Sequence, residues 1–184
     1  MRGKYWLKVS NNRVSYSLKL NRCISIIKGD SGTGKTYLLH LLKDYIKNGK
    51  KSGVHLSSNI QNIDVLDDER RWKDTLLKNR NYIYFADEDA KFVLTKEFSD
   101  LLKLSGSYLV YVTRSGKTGF LQYSISDVYR FESRNVNNKY LTEMFNLYED
   151  RKTCFKPDLI LTEDSTSGLD IFKHIVSVDV KSSF

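Results

Sequence analysis

The stretch Gly29-Asp30-Ser31-Gly32-Thr33-Gly34-Lys35-Thr36 decides how this sequence is interpreted. It follows an apolar run at residues 23–27 and precedes a helical pattern that begins near Tyr37. Glycines tolerate positive φ angles, and they let backbone N–H groups converge on a phosphate at the N-terminus of a helix. The pattern G-x-x-x-x-G-K-T in this setting therefore predicts a loop that binds the phosphates of a nucleoside triphosphate.

The parts of this loop have different expected tasks. We expect the nucleotide to contact Gly29, Asp30, Ser31, Gly32, Thr33, Gly34, Lys35, Thr36 and Tyr37. Lys35 is expected to reach the β- and γ-phosphates, and the Thr36 hydroxyl is expected to ligate Mg²⁺. The competing interpretation is a glycine-rich turn that only joins a strand to a helix. The flanking patterns favour the phosphate loop.

Acidic residues follow a second apolar run, at residues 81–86. Ligands bind near the carboxyl ends of the strands in open α/β sheets, so this end of the run is a candidate site. We expect Asp87 to hold Mg²⁺ opposite Thr36, and Glu88 to polarise an attacking water. The alternative is an acidic turn that leaves the sheet and caps the next helix.

A hydroxyl and a guanidinium follow a third apolar run, at residues 108–112. The planar cation of Arg114 can read a γ-phosphate or stabilise charge as it transfers. Alternatively, Arg114 pairs with Asp87 or Asp89, or faces solvent. The candidate catalytic residues are therefore Lys35, Glu88 and Arg114.

Strand and helix patterns alternate along the chain. Strand patterns lie at residues 5–9, 14–20, 23–28, 53–56, 81–86 and 108–112, and helical patterns lie at residues 36–47, 63–78 and 95–104. They predict a three-layer α/β fold with a mainly parallel sheet, preceded by an N-terminal antiparallel β-meander. Because the pattern weakens beyond Gly119, we assign residues 1–125 to the core and 126–184 to a C-terminal α/β extension packed on it.

Composition sets wider bounds on the 184-residue chain. Thirty Lys and Arg against 22 Asp and Glu leave a net charge of +8, which fits either a polyanionic partner or a solvated lysine-rich surface. Cys23 and Cys154 are too few for a disulfide framework or a four-cysteine zinc site. Since no apolar run approaches about 18 residues, we expect no membrane partner and a cytoplasmic location.

Taken together, the motifs carry a family resemblance. Gly29–Thr36 and Ile83–Glu88 resemble the Walker A and Walker B motifs of P-loop NTPases. The Asp87-Glu88 pair and the later Arg114 resemble the division with an additional catalytic glutamate, which includes AAA-type and ABC-type ATPases. More loosely, the whole chain is similar to uncharacterised small ATPases of Gram-positive bacteria and their mobile elements.

The resemblance implies ATP and Mg²⁺ as cofactors, and a slow ATPase that drives a conformational cycle, with DNA as a candidate partner. In similar ATPases an aromatic residue upstream of the loop stacks on adenine, a position that Tyr5, Trp6 or Tyr16 would fill. Two alternatives stay open: a P-loop kinase of a small acceptor, and a nucleotide-gated binding module without significant turnover. The oligomeric state stays open too.

Overall fold

A single sheet of nine strands organises residues 4–148, the part of the chain that this computed structural model describes. The strands are β1 (Tyr5–Ser10), β2 (Val14–Leu20), β3 (Ile24–Lys28), β4 (His55–Ser58), β5 (Ile63–Val65), β6 (Ile83–Asp87), β7 (Tyr108–Thr113), β8 (Val128–Val136) and β9 (Lys139–Asn146). The helices are α1 (Lys35–Asn48), α2 (Trp72–Lys78) and α3 (Lys96–Ser105). The helix predicted over residues 36–47, after the glycine-rich loop, is confirmed as α1.

The strand order is β4-β1-β2-β9-β8-β3-β7-β6-β5. Strands β3, β5, β6, β7 and β8 run parallel to their neighbours within this group. The pairs β1–β2, β1–β4 and β8–β9 are antiparallel, whereas β2 and β9 are parallel. The sheet is therefore mixed, and it curls into a half-barrel.

The expected three-layer α/β fold with a mainly parallel sheet is wrong, because the sheet is mixed and curled and carries few helices. The error begins between β2 and β3. Strands β8 and β9 lie between them, so β2 pairs with β9 and β3 pairs with β8. The first three strands consequently do not form the expected continuous antiparallel meander.

Strands β8 and β9 were not predicted from the sequence because only part of the hairpin that they form has a hydrophobic face. Phe131 is buried, but β8 is exposed on both faces from Ser133 onward. The turn between the strands consists of Asn137 and Asn138, with φ angles of 51° and 61°. Positive φ at both residues is the requirement of a type I′ hairpin, so the Asn-Asn pair was the available signal.

The helix expected over residues 63–78 is wrong in its first part. Ile63–Val65 forms the edge strand β5, which pairs in parallel with β6, and α2 begins only at Trp72. Asp64 lies within β5, and Asp67 and Asp68 lie in the connection between β5 and α2. Cys23, which we expected inside a strand, precedes β3 and is exposed.

Two apolar clusters cover opposite parts of the sheet. One contains the buried leucines of α1 and inward residues of β1 and β2; the other contains Trp72 of α2 and Phe98 of α3. Strand β3 contributes to both, since Ile27 belongs to the first cluster and Ile26 to the second. Among residues 4–148, none of the helices combines the length and apolar character that a membrane span requires.

The expected extension at residues 126–184 is described only in part. Its strands β8 and β9 belong to the same sheet as β3. Residues 149–184 lie outside the described residues, and so do the strands that the sequence predicts at residues 159–161 and 176–180 and the helix that it predicts at residues 169–175.

If β8 belongs to the core, Phe131→Ala will destabilise the whole described unit. The Phe131 side chain is 8% exposed and packs against Tyr16, with ring centroids 5.5 Å apart. We expect the free energy of unfolding to fall by about 3 kcal/mol or more. Urea unfolding followed by tryptophan fluorescence measures this. On β9, Phe145 is 42% exposed, so Phe145→Ala should cost less than about 1 kcal/mol. Equal small losses would contradict the placement of β8.

Candidate phosphate-binding site

The glycine-rich loop joins the carboxyl end of β3 to the N-terminus of α1. Gly32 and Gly34 have φ angles of 84° and 83°, in the left-handed region that L side chains rarely adopt. Gly34 is the N-cap of α1 and supplies no side-chain cap. The first-turn N–H groups, which an α-helix leaves without intrahelical partners, therefore lie beside the loop where they favour an anion.

Tyr16 of β2 contacts this loop and helps to hold it in place. Its hydroxyl donates a hydrogen bond of 2.8 Å to the Gly34 carbonyl. A Cβ atom at Gly34 would lie 2.7 Å from the Tyr16 hydroxyl oxygen, so the contact requires glycine. Burial, with a smaller contribution from Tyr37, raises the pKa of Tyr16 to about 12.

None of the three aromatic residues expected to stack on adenine is exposed at the loop. Tyr16 is buried beneath the loop, and Tyr5 packs edge-on against Tyr108, which begins β7 at the opposite end of the sheet. Trp6 is exposed on β1, where its backbone N–H donates to Asn59.

The exposed aromatic residue at the loop is Tyr37, whose hydroxyl accepts a 3.0 Å hydrogen bond from Asn11. The sequence predicted no contact of Asn11 with this site and gave Tyr16 a different role, since no motif links either residue to the support of the loop.

Lys35 is buried within the loop. Its Nζ donates to the carbonyls of Gly29 and Asp30 at 2.7 and 2.6 Å and to Thr33 Oγ1 at 2.7 Å. Burial lowers the pKa of Lys35, and the nearby Arg114 cation lowers it further, while Asp30 and Glu88 act in the opposite direction. A buried ammonium beside a second cation is a favourable place for a polyanion.

Glu88 and Arg114 meet at the ends of the neighbouring strands β6 and β7. The Glu88 carboxylate accepts from the Arg114 backbone N–H at 3.0 Å and lies 3.2 Å from Arg114 Nε. Arg114 Nη1 also donates to Ser31 Oγ at 3.1 Å. Arg114 therefore pairs with a carboxylate, as one of the alternatives from the sequence predicts. Its partner, however, is Glu88 rather than Asp87 or Asp89.

Asp87 ends β6 and is half-buried. One of its oxygens accepts from the Asp89 backbone N–H at 3.1 Å. Within residues 4–148, no group of three or more His, Cys, Asp or Glu side chains forms a ready-made metal site. Mg²⁺ commonly takes one or two carboxylates and completes its shell with substrate phosphates and water. The exposed Thr36 hydroxyl and the Asp87 carboxylate are the donor types that such a phosphate-bound ion requires.

A cavity of about 270 Å³ lies over the loop. Its lining comprises Ser31, Gly32, Thr33, Gly34, Lys35, Thr36, Tyr37 and Arg114. The segment predicted to bind nucleotide and the arginine predicted to sense phosphate therefore share one cavity. Glu88 is linked to it through Arg114.

Comparison with protein-family models gave no match, and no curated protein matches the chain.

The contact between Gly34 and Tyr16 predicts a coupled pair of mutations. Gly34→Ala should destabilise the protein by at least about 1 kcal/mol because of its positive φ, and further through the Tyr16 hydroxyl. Tyr16→Phe removes that hydroxyl, so the cost of Gly34→Ala should fall in this background. Gly32→Ala is the control, since nothing lies within 4 Å of its added Cβ. Urea unfolding of the double-mutant cycles measures the coupling, and strict additivity at Gly34 would contradict the contact.

Tyr16 also predicts an alkaline loss of stability. Its pKa is raised from 10.0 to about 12 in the folded protein, so the stability that the protonated phenol contributes is present below pH 10 and is lost as pH rises toward 12. The loss is about 2 to 3 kcal/mol. We expect wild type to exceed Tyr16→Phe in stability at pH 8 and to lose this advantage by pH 12. A constant difference across urea titrations from pH 8 to pH 12 would contradict this.

Proposed function

We propose that the chain binds ATP with Mg²⁺ at the Gly29–Thr36 loop and hydrolyses it slowly, in a conformational cycle. One observation carries the proposal: Lys35, Arg114 and the N-terminus of α1 converge on one cavity. The phosphate-loop resemblance of the sequence supports the same assignment.

The electrostatics of this cavity favour a triphosphate. The oxygens that contact Lys35 Nζ are two carbonyls and a hydroxyl, so they solvate the ammonium without neutralising it. Arg114 is paired with Glu88 but is 61% exposed, with its Nη1 directed at Ser31 on the loop. A polyphosphate would relieve the repulsion between the two cations, and helix N-terminal N–H groups add further donors.

The proposed metal would be held by Thr36 and Asp87. When bound with the nucleotide, Mg²⁺ neutralises charge on the phosphate oxygens. The remaining Asp87 oxygen is oriented because its partner oxygen accepts from the Asp89 N–H. Thr36 lies in the first turn of α1, directly after the lysine.

Glu88 is the proposed base that orients the attacking water. Its carboxylate is held by Arg114, so hydrolysis requires the guanidinium to turn from Glu88 toward the γ-phosphate. Arg114 Nη1 already contacts Ser31 Oγ, so the guanidinium lies beside the loop before this turn. This exchange would release Glu88 Oε1 only when a triphosphate is bound, while the Arg114 backbone N–H keeps its hydrogen bond to Oε2.

The same ion pair favours a second candidate function. If Arg114 keeps its hold on Glu88, the carboxylate serves as a structural partner and the protein is a nucleotide-gated binding module. Turnover separates the two functions.

Phosphate release from MgATP tests the proposal. Glu88→Gln should lower turnover by at least about 100-fold while ATP binding persists, because a general base is lost. Lys35→Ala should weaken ATP binding itself. Asp89→Asn is the matched control, since Asp89 is an exposed neighbouring carboxylate and should leave turnover unchanged.

Two results would contradict the hydrolase. Turnover that Glu88→Gln leaves intact would remove Glu88 from the chemistry. ATP binding without phosphate release would instead support the nucleotide-gated module.

A further inference from the structure

Two adjacent cavities lie at the end of the sheet opposite the phosphate loop. A cavity of about 750 Å³ and another of about 510 Å³ share the residues Asn21, Arg22 and Asp127. These residues adjoin the N-terminal ends of β3 and β8, whereas the phosphate loop follows the carboxyl end of β3. We call these two adjacent cavities together the β3 groove.

The lining of the β3 groove is basic. Lys4 lines the larger cavity, Lys19 lines the smaller one, and Arg22 lines both. The carboxylate in the lining is that of Asp127, which is buried and accepts from the Ser124 N–H at 3.2 Å. It also lies 3.6 Å from Arg22 Nε. Pairing of Asp127 with Arg22 leaves the two lysines as uncompensated charge within the described lining.

Exposed aromatic rings lie among these cations. Tyr123 in the larger cavity is 38% exposed, and Phe145 and Tyr148 in the smaller one are 42% and 53% exposed. Lys19 of β2 and Phe145 of β9 both line the smaller cavity. The last paired residues of these two parallel strands are Ser17 and Glu143. Lys19 and Phe145 each lie two residues further on, so they project from the same face as that pair.

We propose that the β3 groove binds a single-stranded nucleic acid. Phosphates would contact Lys4, Lys19 and Arg22, while unpaired bases stack on the exposed rings. A duplex keeps its base faces stacked inside the helix, so the rings favour a single strand. A role for this nucleic acid as the partner of an ATPase cycle rests on the proposed function. Its binding in the groove does not depend on ATP hydrolysis.

Strand β3 connects this groove to the phosphate loop. It has five residues, which span about 17 Å. It is hydrogen-bonded on both sides, to β7 and β8. Ligands in the two sites would therefore lie at opposite ends of the same strand.

Fluorescence anisotropy with labelled oligothymidylate and oligouridylate of about 15 nucleotides tests the proposal. Phe145→Ala should weaken binding by about five-fold or more because a base can no longer stack there. Lys19→Glu should weaken binding and reduce the slope of log Kd against log salt by about 0.7 for each phosphate that the protein no longer neutralises. The matched controls are Phe120→Ala and Lys51→Glu, which replace exposed residues outside the described groove lining and should change neither quantity.

The outcomes separate the groove from the nucleotide site. Binding of either oligonucleotide that the groove variants weaken and the controls do not supports the proposal, and the tighter of the two identifies the polymer. No binding by wild type, equal losses in the controls, or equally strong competition by polyglutamate or an abasic strand would overturn it. ATP binding is measured in the same samples. If the wild-type protein binds the oligonucleotide but does not bind ATP, only the proposed function is contradicted.

Discussion

The parallel pairing of β3 with β7 on one side and β8 on the other is the constraint on which the rest of the structure depends. It buries Ile26 and Ile27 in the two apolar clusters on either side of the sheet. A strand held in this way ends at a fixed point, so the glycine-rich loop begins at a fixed point too. The same pairing puts the ends of β6 and β7 beside the loop, which brings Glu88 and Arg114 to it.

Local signals predicted the elements around the loop because each signal is complete within a few residues. The apolar run before Gly29, the glycines and the leucine-rich pattern after Thr36 specify a strand, a turn and a helix without distant help. The sheet order was not predictable in this way, since β8 and β9 come late in the chain and insert between two early strands. Phe131 of β8 packs against Tyr16, which is distant in sequence. The end of β8 next to the hairpin turn is exposed on both faces and shows no apolar alternation.

The candidate site shows the same division. Lys35, Thr36 and the glycines follow from the loop pattern, and Glu88 and Arg114 follow from polar residues at the ends of buried strands. The pairing of Glu88 with Arg114 and the support of Gly34 by Tyr16 do not follow, because each joins residues from different strands. Tyr16 was one of three residues proposed to stack on adenine, yet it is buried and its hydroxyl donates to the Gly34 carbonyl of the loop.

Isothermal titration calorimetry with MgATP, MgADP and AMP tests the central claim most directly, namely that the loop recognises a polyphosphate. If Lys35, Arg114 and the helix N-terminus bind the β- and γ-phosphates, ATP and ADP bind while AMP binds at least about ten-fold more weakly, a difference of about 1.4 kcal/mol. Lys35→Ala should then reduce the affinity for ATP much more than that for AMP. Equal affinity for ATP and AMP, or no binding of ATP, would contradict the account.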